Sequence, residues 1–203
     1  MLRLLVNHLD LMQPRDMAVL ACALVAFWAQ CRLGELLSSS SSDLSTESKP
    51  SRAHFKHSLL DRNAYTLFLP HTKINRNGEK VILLEQNGSV DPIARLHSHL
   101  STSKLDDNLP LFTFSTPSGP CTLTKTAFLN RCNQIWSRFG YPHSTGHSFH
   151  IGGTTELLTT RTAPDVIKTM GCWSSDSFLH YWRDLEVIAP LHACKVKHRS
   201  RSD

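Results

Sequence analysis

The chain has 203 residues, of which 40% are hydrophobic and 19% charged, a composition that fits a soluble globular protein. The formal net charge of +5 favours a polyanionic partner only weakly, because a modest excess is common on solvated surfaces. The apolar run at residues 17–29 is thirteen residues long, which excludes a membrane span there and predicts a buried helix.

The first part of the chain is predicted to be helical. Residues 1–12 form a short amphipathic helix that ends before Pro14. A second helix, with one apolar face, runs from about Arg15 towards Leu37. Five consecutive serines at 38–42 end it, because serine competes with the helix backbone for hydrogen bonds. The loop at 38–50 that follows is the best candidate for disorder.

Residues 52–86 are predicted to form a small sheet with strands at 52–57, 64–69 and 80–85. The dipeptide Asn77-Gly78 is a strong turn signal between the last two strands. This arrangement places Lys73 on the arm of a hairpin, just before the turn.

The remaining elements are mainly helical. A short apolar segment at 111–114 is followed by a turn at 116–120, and Thr122 or Thr124 can cap the next helix. The predicted helices cover approximately 91–100, 122–140, 147–160, 164–171 and 174–182. The six cysteines include no CxxC pair, and with no secretory signal visible they predict reduced, mostly buried thiols of an intracellular protein.

Four short motifs carry polar residues whose order suggests a site for attacking a DNA phosphodiester. Each motif alone also fits an ordinary structural role, such as a helix-end ion pair or an aromatic helix face. The motifs are Arg32-Leu-Gly-Glu-Leu-Leu, Leu69-Pro-His-Thr-Lys-Ile-Asn-Arg-Asn-Gly, His147-Ser-Phe-His-Ile-Gly-Gly-Thr-Thr and Gly171-Cys-Trp-Ser-Ser-Asp-Ser-Phe-Leu-His-Tyr.

In this order the motifs resemble the catalytic domain of the tyrosine recombinases, also called the phage-integrase family, and look most like those of fungal Crypton-type mobile elements. The similarity extends from about Asp16 to Asp184. It implies an α+β, mainly α fold with a small antiparallel three-stranded sheet. We expect residues 1–203 to form a single catalytic domain with a basic tail at 195–203. The N-terminal helical DNA-clamping domain of the family is expected to be absent.

The resemblance implies a transesterification in which a tyrosine hydroxyl attacks a DNA phosphate and forms a 3′-phosphotyrosine link. Tyr181 stands at the nucleophile position, and Arg32, supported by Glu35, stands at the position of a phosphate clamp. Lys73 corresponds to the general acid that protonates the leaving 5′ oxygen. His147 would bind the phosphate or help to accept the tyrosine proton.

Two positions depart from the family pattern. His150 replaces an arginine, and an unperturbed imidazole is mostly uncharged at neutral pH. Cys172 occupies a position where the family has histidine or tryptophan, although Trp173 is adjacent and could serve. Loss of one charge-stabilising donor commonly lowers a rate by about 10²–10³. The substitutions therefore predict a retained fold with impaired or absent recombination.

The sequence leaves more than one function open. The first is a site-specific DNA recombinase or integrase, acting in DNA recombination and integration. The second is a catalytically inactive DNA-binding remnant of a mobile-element recombinase. A third, remoter possibility is a metal-dependent hydrolase built on His147 and His150.

The resemblance also bears on partners and location. The expected partner is double-stranded DNA, with self-association on DNA and no membrane. No metal or small-molecule cofactor is expected, and the expected location is nuclear. Basic residues expected to contribute phosphate contacts are Lys125, Arg131, Arg138 and Lys168.

Overall fold

The computed structural model describes residues 1–73, 75–160 and 162–171 of the chain. These residues form seven α-helices, one three-stranded sheet and one two-stranded sheet. The predicted α+β, mainly α fold with a small antiparallel three-stranded sheet is therefore confirmed. Every helix in the described ranges is too short or too polar to cross a lipid bilayer.

A largely buried helix, α2, stands at the centre of the fold. It spans Pro14–Trp28, and its residues from Ala18 to Ala26 are completely buried. Helices α4 (Pro92–Ser103) and α6 (Gly146–Thr159) pack against it, as does strand β4 (Thr113–Thr116). The expectation of a single apolar face is wrong because neighbours surround α2, whereas the buried helix predicted from the apolar run is confirmed.

The chain breaks after α2 instead of continuing as a helix towards Leu37. Gln30 has a positive φ of 51°, and a separate short helix, α3, covers Leu33–Leu36. The break coincides with a close approach of α6, since a Cβ on Gly153 would lie 1.9 Å from the Phe27 carbonyl oxygen. As a result, Arg32 is the N-cap of α3 and does not lie near the end of a long helix.

The three-stranded sheet has the antiparallel order β1-β2-β3, with β1 at Phe55–His57, β2 at Ala64–Leu69 and β3 at Glu79–Leu84. The predicted first strand is shortened because Arg52–His54 forms a 3-10 turn. Gly78 has a φ of 84°, which confirms the turn at Asn77-Gly78. The last pair of the hairpin is Leu69 with Glu79, so Lys73 lies in the 70–78 connection and not on a strand.

A two-stranded sheet that the sequence did not predict joins β4 to β5 (Gly119–Thr122). The 38–50 loop is attached to this hairpin, because Ser38 bridges Thr124 and the Ser41 carbonyl accepts the Thr122 amide at 2.9 Å. Thr124 is the cap of the next helix, since its hydroxyl accepts the Ala127 amide at 3.1 Å.

The other helices lie close to their predicted bounds. They are α1 (Leu2–His8), α4, α5 (Lys125–Arg138), α6 and α7 (Pro164–Met170). Cys22, Cys31 and Cys132 are buried and Cys121 is partly buried, all as free thiols. The predicted last helix, which carries Tyr181, and the basic tail lie outside the described residues.

Candidate functional site

The first motif of the site, residues 32–37, which we call the first box, is held together by the Glu35 carboxylate. Its Oε2 accepts the Arg32 backbone amide at 2.9 Å, and its Oε1 lies 3.3 Å from Arg32 Nη1. The Glu35 side chain is only 9% exposed, whereas that of Arg32 is 26% exposed. A buried acid therefore orients a guanidinium that keeps part of its surface open to a ligand.

The same carboxylate reaches the connection that carries Lys73. Glu35 Oε1 also accepts the Lys73 backbone amide at 3.3 Å. The connection is ordered by its own hydrogen bonds, because the Thr72 amide donates to the Asn75 carbonyl at 3.0 Å and the Asn75 amide donates to the Thr72 hydroxyl at 3.0 Å. The Lys73 side chain is exposed, and its backbone is held beside the carboxylate that pairs with Arg32.

Helix α6 brings the third motif, residues 147–155, which we call the histidine box, to this region. A Cβ on Gly146, the first residue of α6, would lie 3.2 Å from Leu33 Cδ1, so the helix start packs closely on α3. His147 is exposed and His150 is buried, and their ring centroids are 6.0 Å apart. The histidine pair therefore adjoins the segment that bears Arg32.

His150 is fully buried against the break that follows α2. Its Nδ1–H donates to the Gln30 carbonyl oxygen, and the Thr154 hydroxyl lies 2.7 Å from Gln30 Oε1. The pKa of His150 is lowered to about 4, mainly by burial. The hydrogen bond to Gln30 opposes this lowering, and repulsion from Arg32 and His147 contributes to it. The imidazole is consequently neutral at pH 7, with Nε2 as an acceptor, and lacks the charge and double donor of an arginine.

The structure thus brings together five of the residues selected from sequence. They meet where α3, the 70–78 connection and the start of α6 come into contact: Arg32, Glu35, Lys73, His147 and His150. The positions of Cys172, Trp173 and Tyr181 lie outside the described residues. The catalytic role of each of these residues remains a prediction.

Three further residues belong to this region, although none of them was assigned a role from sequence. Thr154, inside the histidine box, bonds Gln30, whose carbonyl accepts a hydrogen bond from His150. Lys49 Nζ donates to the Gly34 carbonyl oxygen. Thr154 lies one helical turn from His150, a spacing that indicates a shared face of α6. Gln30 and Lys49 carry no comparable signal, because their partners are distant in sequence or lie across a loop.

Arg131 is not available as a simple phosphate contact. Its Nε and Nη2 donate to the Asp16 carboxylate at 2.9 and 2.6 Å, which joins α5 to α2. Although burial acts to raise the pKa of Asp16, the bonds from Arg131 and from the Asp10 amide leave that pKa lowered. Arg131 therefore has a structural role in the described fold.

A cleft of about 640 Å³ lies away from the histidine pair. Its α6 residues, which include Phe149, Gly152 and Glu156, recur on the helix face opposite His147 and His150.

Within the described ranges, no group of three or more His, Cys, Asp or Glu side chains could hold a metal ion. The metal-dependent alternative therefore finds no third ligand there.

Comparison with known proteins supports the fold assignment. No protein-family model and no curated protein matches the sequence. Among solved structures, XerH site-specific recombinase matches in a post-cleavage complex (TM-score 0.61, 12% identity, 98% of this chain and 52% of that chain). XerH in a pre-cleavage complex matches with a TM-score of 0.60 at 14% identity, over 93% of this chain and 50% of that chain.

A Flpe–Holliday junction complex matches with a TM-score of 0.57 at 12% identity, over 87% of this chain and 43% of that chain. These neighbours are tyrosine recombinases, so the chain has the fold of a tyrosine-recombinase catalytic domain. It spans about half the length of the solved structures that it matches.

Proposed function

We propose that this chain is a DNA breaking-and-rejoining enzyme of the tyrosine-recombinase type that acts through a 3′-phosphotyrosine intermediate at Tyr181. The observation that carries the proposal is that the Glu35 carboxylate bonds both Arg32 and the backbone of Lys73. Arg32 in turn lies close enough to repel the buried imidazole of His150, which neighbours His147. A site with several cations and one buried acid suits a phosphodiester, because phosphate charge must be neutralised by side chains when no metal takes part.

The reaction divides among these groups by their chemistry. Arg32 binds non-bridging phosphate oxygens, and Glu35 holds its guanidinium in place. The Tyr181 hydroxyl attacks phosphorus, the bond to the 5′ oxygen breaks, and Lys73 donates a proton to that oxygen. His147, which is exposed, hydrogen-bonds the phosphate or accepts the tyrosine proton.

His150 accounts for the expected weakness of the catalyst. Because the pKa of His150 is about 4, charging its imidazole at pH 7 costs about 4 kcal/mol. That cost is comparable to the roughly 2.7–4 kcal/mol that is lost when one charge-stabilising donor is removed from an enzyme. The neutral imidazole instead supports the chain break through its bond to the Gln30 carbonyl.

The alternative function is a catalytically inactive DNA-binding remnant of a mobile-element recombinase. The buried, neutral state of His150 favours it, because the fold and the Arg32–Glu35 pair would be kept while one donor to the transition state is lost. Under either function we propose double-stranded DNA as the partner, self-association on DNA and a nuclear location; a role in integration belongs to the enzyme alone.

Capture of a covalent adduct distinguishes the two functions. A pool of nicked DNA duplexes with randomised sequence is mixed with wild-type protein, Tyr181→Phe or His150→Arg, and adducts are separated on denaturing gels. The enzyme proposal expects a weak wild-type adduct, none with Tyr181→Phe, and up to about 10²-fold more with His150→Arg. Thermal unfolding of each variant verifies that it is folded.

The remaining outcomes are equally informative. Salt-sensitive DNA binding without any adduct, even from His150→Arg, supports the remnant. A wild-type adduct as abundant as that of His150→Arg contradicts the idea of an impaired site. Affinity for duplex DNA that stays flat between low and physiological salt contradicts both functions, since phosphate contacts release counterions.

A further inference from the structure

Lys49 reaches the first box of the site from the end of the 38–50 loop. Its Nζ donates to the carbonyl oxygen of Gly34, which lies between Arg32 and Glu35 in the chain. The next residue, Pro50, is anchored because its carbonyl accepts the Leu111 amide at 2.8 Å. The Lys49 side chain therefore starts from a fixed backbone and ends beside α3.

Lys49 also joins the electrostatic environment of Glu35. The carboxylates of Glu35 and Asp43 attract its ammonium, although burial has the larger effect and lowers the pKa of Lys49. Glu35 already accepts three hydrogen bonds, from the amide and guanidinium of Arg32 and from the Lys73 amide. The Glu35 carboxylate thus pairs with Arg32 and attracts Lys49, while Lys73 is held nearby through its backbone amide. These three cations outnumber the two acids, Glu35 and Asp43, which leaves this region with an excess of positive charge.

An ammonium has three N–H donors. Among the described residues, the Gly34 carbonyl is the hydrogen-bond acceptor of Lys49. The two other donors of a partly exposed side chain suit an anionic oxygen, and a Lys ammonium binds phosphate as a point charge. A carbonyl contact fixes the position of the head group without neutralising its charge.

We propose that Lys49 is a further DNA-binding residue of this site, whose ammonium contacts a backbone phosphate beside the one bound by Arg32. This inference rests on the proposed function. Lys49 keeps its bond to the Gly34 carbonyl in the complex and contributes one ionic contact. A purely structural role, in which Lys49 only fastens the 38–50 loop to α3, makes a different prediction for salt dependence.

The test is the salt dependence of binding to a random-sequence DNA duplex, measured by fluorescence anisotropy. Loss of one phosphate contact reduces the slope of log K against log salt by about 0.9 and weakens binding on the order of fivefold to tenfold at 0.1 M salt. We expect this change for Lys49→Gln, while Lys49→Arg keeps the wild-type slope. Lys104→Gln, at an exposed lysine after α4, is the matched control for loss of a surface charge.

A second measurement uses the wild-type protein and does not depend on how the variants fold. A lysine-reactive ester labels the protein with and without the duplex, and mass spectrometry quantifies each site. DNA should protect Lys49 several-fold more than Lys104. Equal protection of the two lysines, or a Lys49→Gln slope equal to that of wild type, overturns the proposed contact.

Arg32→Gln separates failure of this inference from failure of the proposed function. If Arg32→Gln lowers the slope and Lys49→Gln does not, Lys49 is only a structural fastening and the site proposal stands. If the wild type shows no salt-dependent binding and Arg32→Gln is the same, the DNA-binding function itself is wrong.

Discussion

Lowering the pH from 7.5 to 5 should cost the folded protein about 2 kcal/mol for each of two buried histidines, His99 and His150. Both side chains are fully buried. Burial is the main cause that lowers each pKa from 6.5 to about 4, and repulsion from Arg52 adds to it at His99. The folded state therefore holds both imidazoles neutral where the unfolded chain would protonate them.

The direction of the effect follows from proton linkage. Because the folded pKa of each histidine is depressed, the unfolded state binds more protons as the pH falls. The contribution of each neutral histidine to folding stability is fully present above pH 6.5. It is lost progressively as the pH falls from 6.5 towards 4. A shift of 2.5 units corresponds to about 3.4 kcal/mol in total for each group, of which about 2 kcal/mol is lost by pH 5.

The assay is guanidinium unfolding at several pH values between 7.5 and 5, at constant ionic strength, followed by tryptophan fluorescence. His150→Asn places an amide N–H where Nδ1 donates to the Gln30 carbonyl, and His99→Gln does the same for the Nε2 bond to the Leu111 carbonyl. Each variant keeps a donor but cannot titrate. Asp16, whose pKa is lowered, loses its contribution only below this window.

Each variant should therefore lose about 2 kcal/mol less than wild type between pH 7.5 and 5, and the double variant about 4 kcal/mol less. The guanidinium m-value should remain unchanged, which indicates that the unfolding transition itself is the same. Parallel pH profiles for wild type and His150→Asn would refute the buried, neutral histidine and with it the reason given for an impaired site.

Two further predictions concern the packing that forms the site. Gly153→Ala should destabilise the protein by about 3 kcal/mol, because its Cβ would meet the Phe27 carbonyl, whereas Gly34→Ala meets nothing within 4 Å and should change stability by less than about 0.5 kcal/mol. Asp16→Asn should cost about 2 kcal/mol through loss of the charged bonds from Arg131. Guanidinium unfolding measures both; a Gly153→Ala loss no larger than that of Gly34→Ala would contradict the close helix contact.

Elements with local signals were predictable from the sequence. The bounds of β2, the turn at Asn77-Gly78 and the helix after Asp91 agree with the structure. The helix predicted to begin at His147 begins one residue earlier, at Gly146. Turn residues, caps and hydrophobic period act within a few residues, so each can be read in a short stretch. The same reasoning kept Thr122 and Thr124 as alternatives, and one hydrogen bond distinguishes them.

Features that depend on distant segments were not predictable. The break after α2 arises where α6 approaches the Phe27 carbonyl. Arg131 forms an ion pair with Asp16, which is distant in sequence. Lys49 joins the site only because the 38–50 loop returns to α3. In each case a side chain meets a partner that no periodicity or motif connects to it.

The sequence by itself determined the order of the elements and of the motifs, since these depend on local backbone preferences and on the identity of the side chains. It identified Arg32, Lys73 and the histidine box as candidates for one site. Only the tertiary structure decided the state of that site. Glu35 joins Arg32 to the Lys73 connection, and burial against Gln30 keeps His150 neutral, because both effects require groups far apart in the chain to become neighbours in a region closed to water.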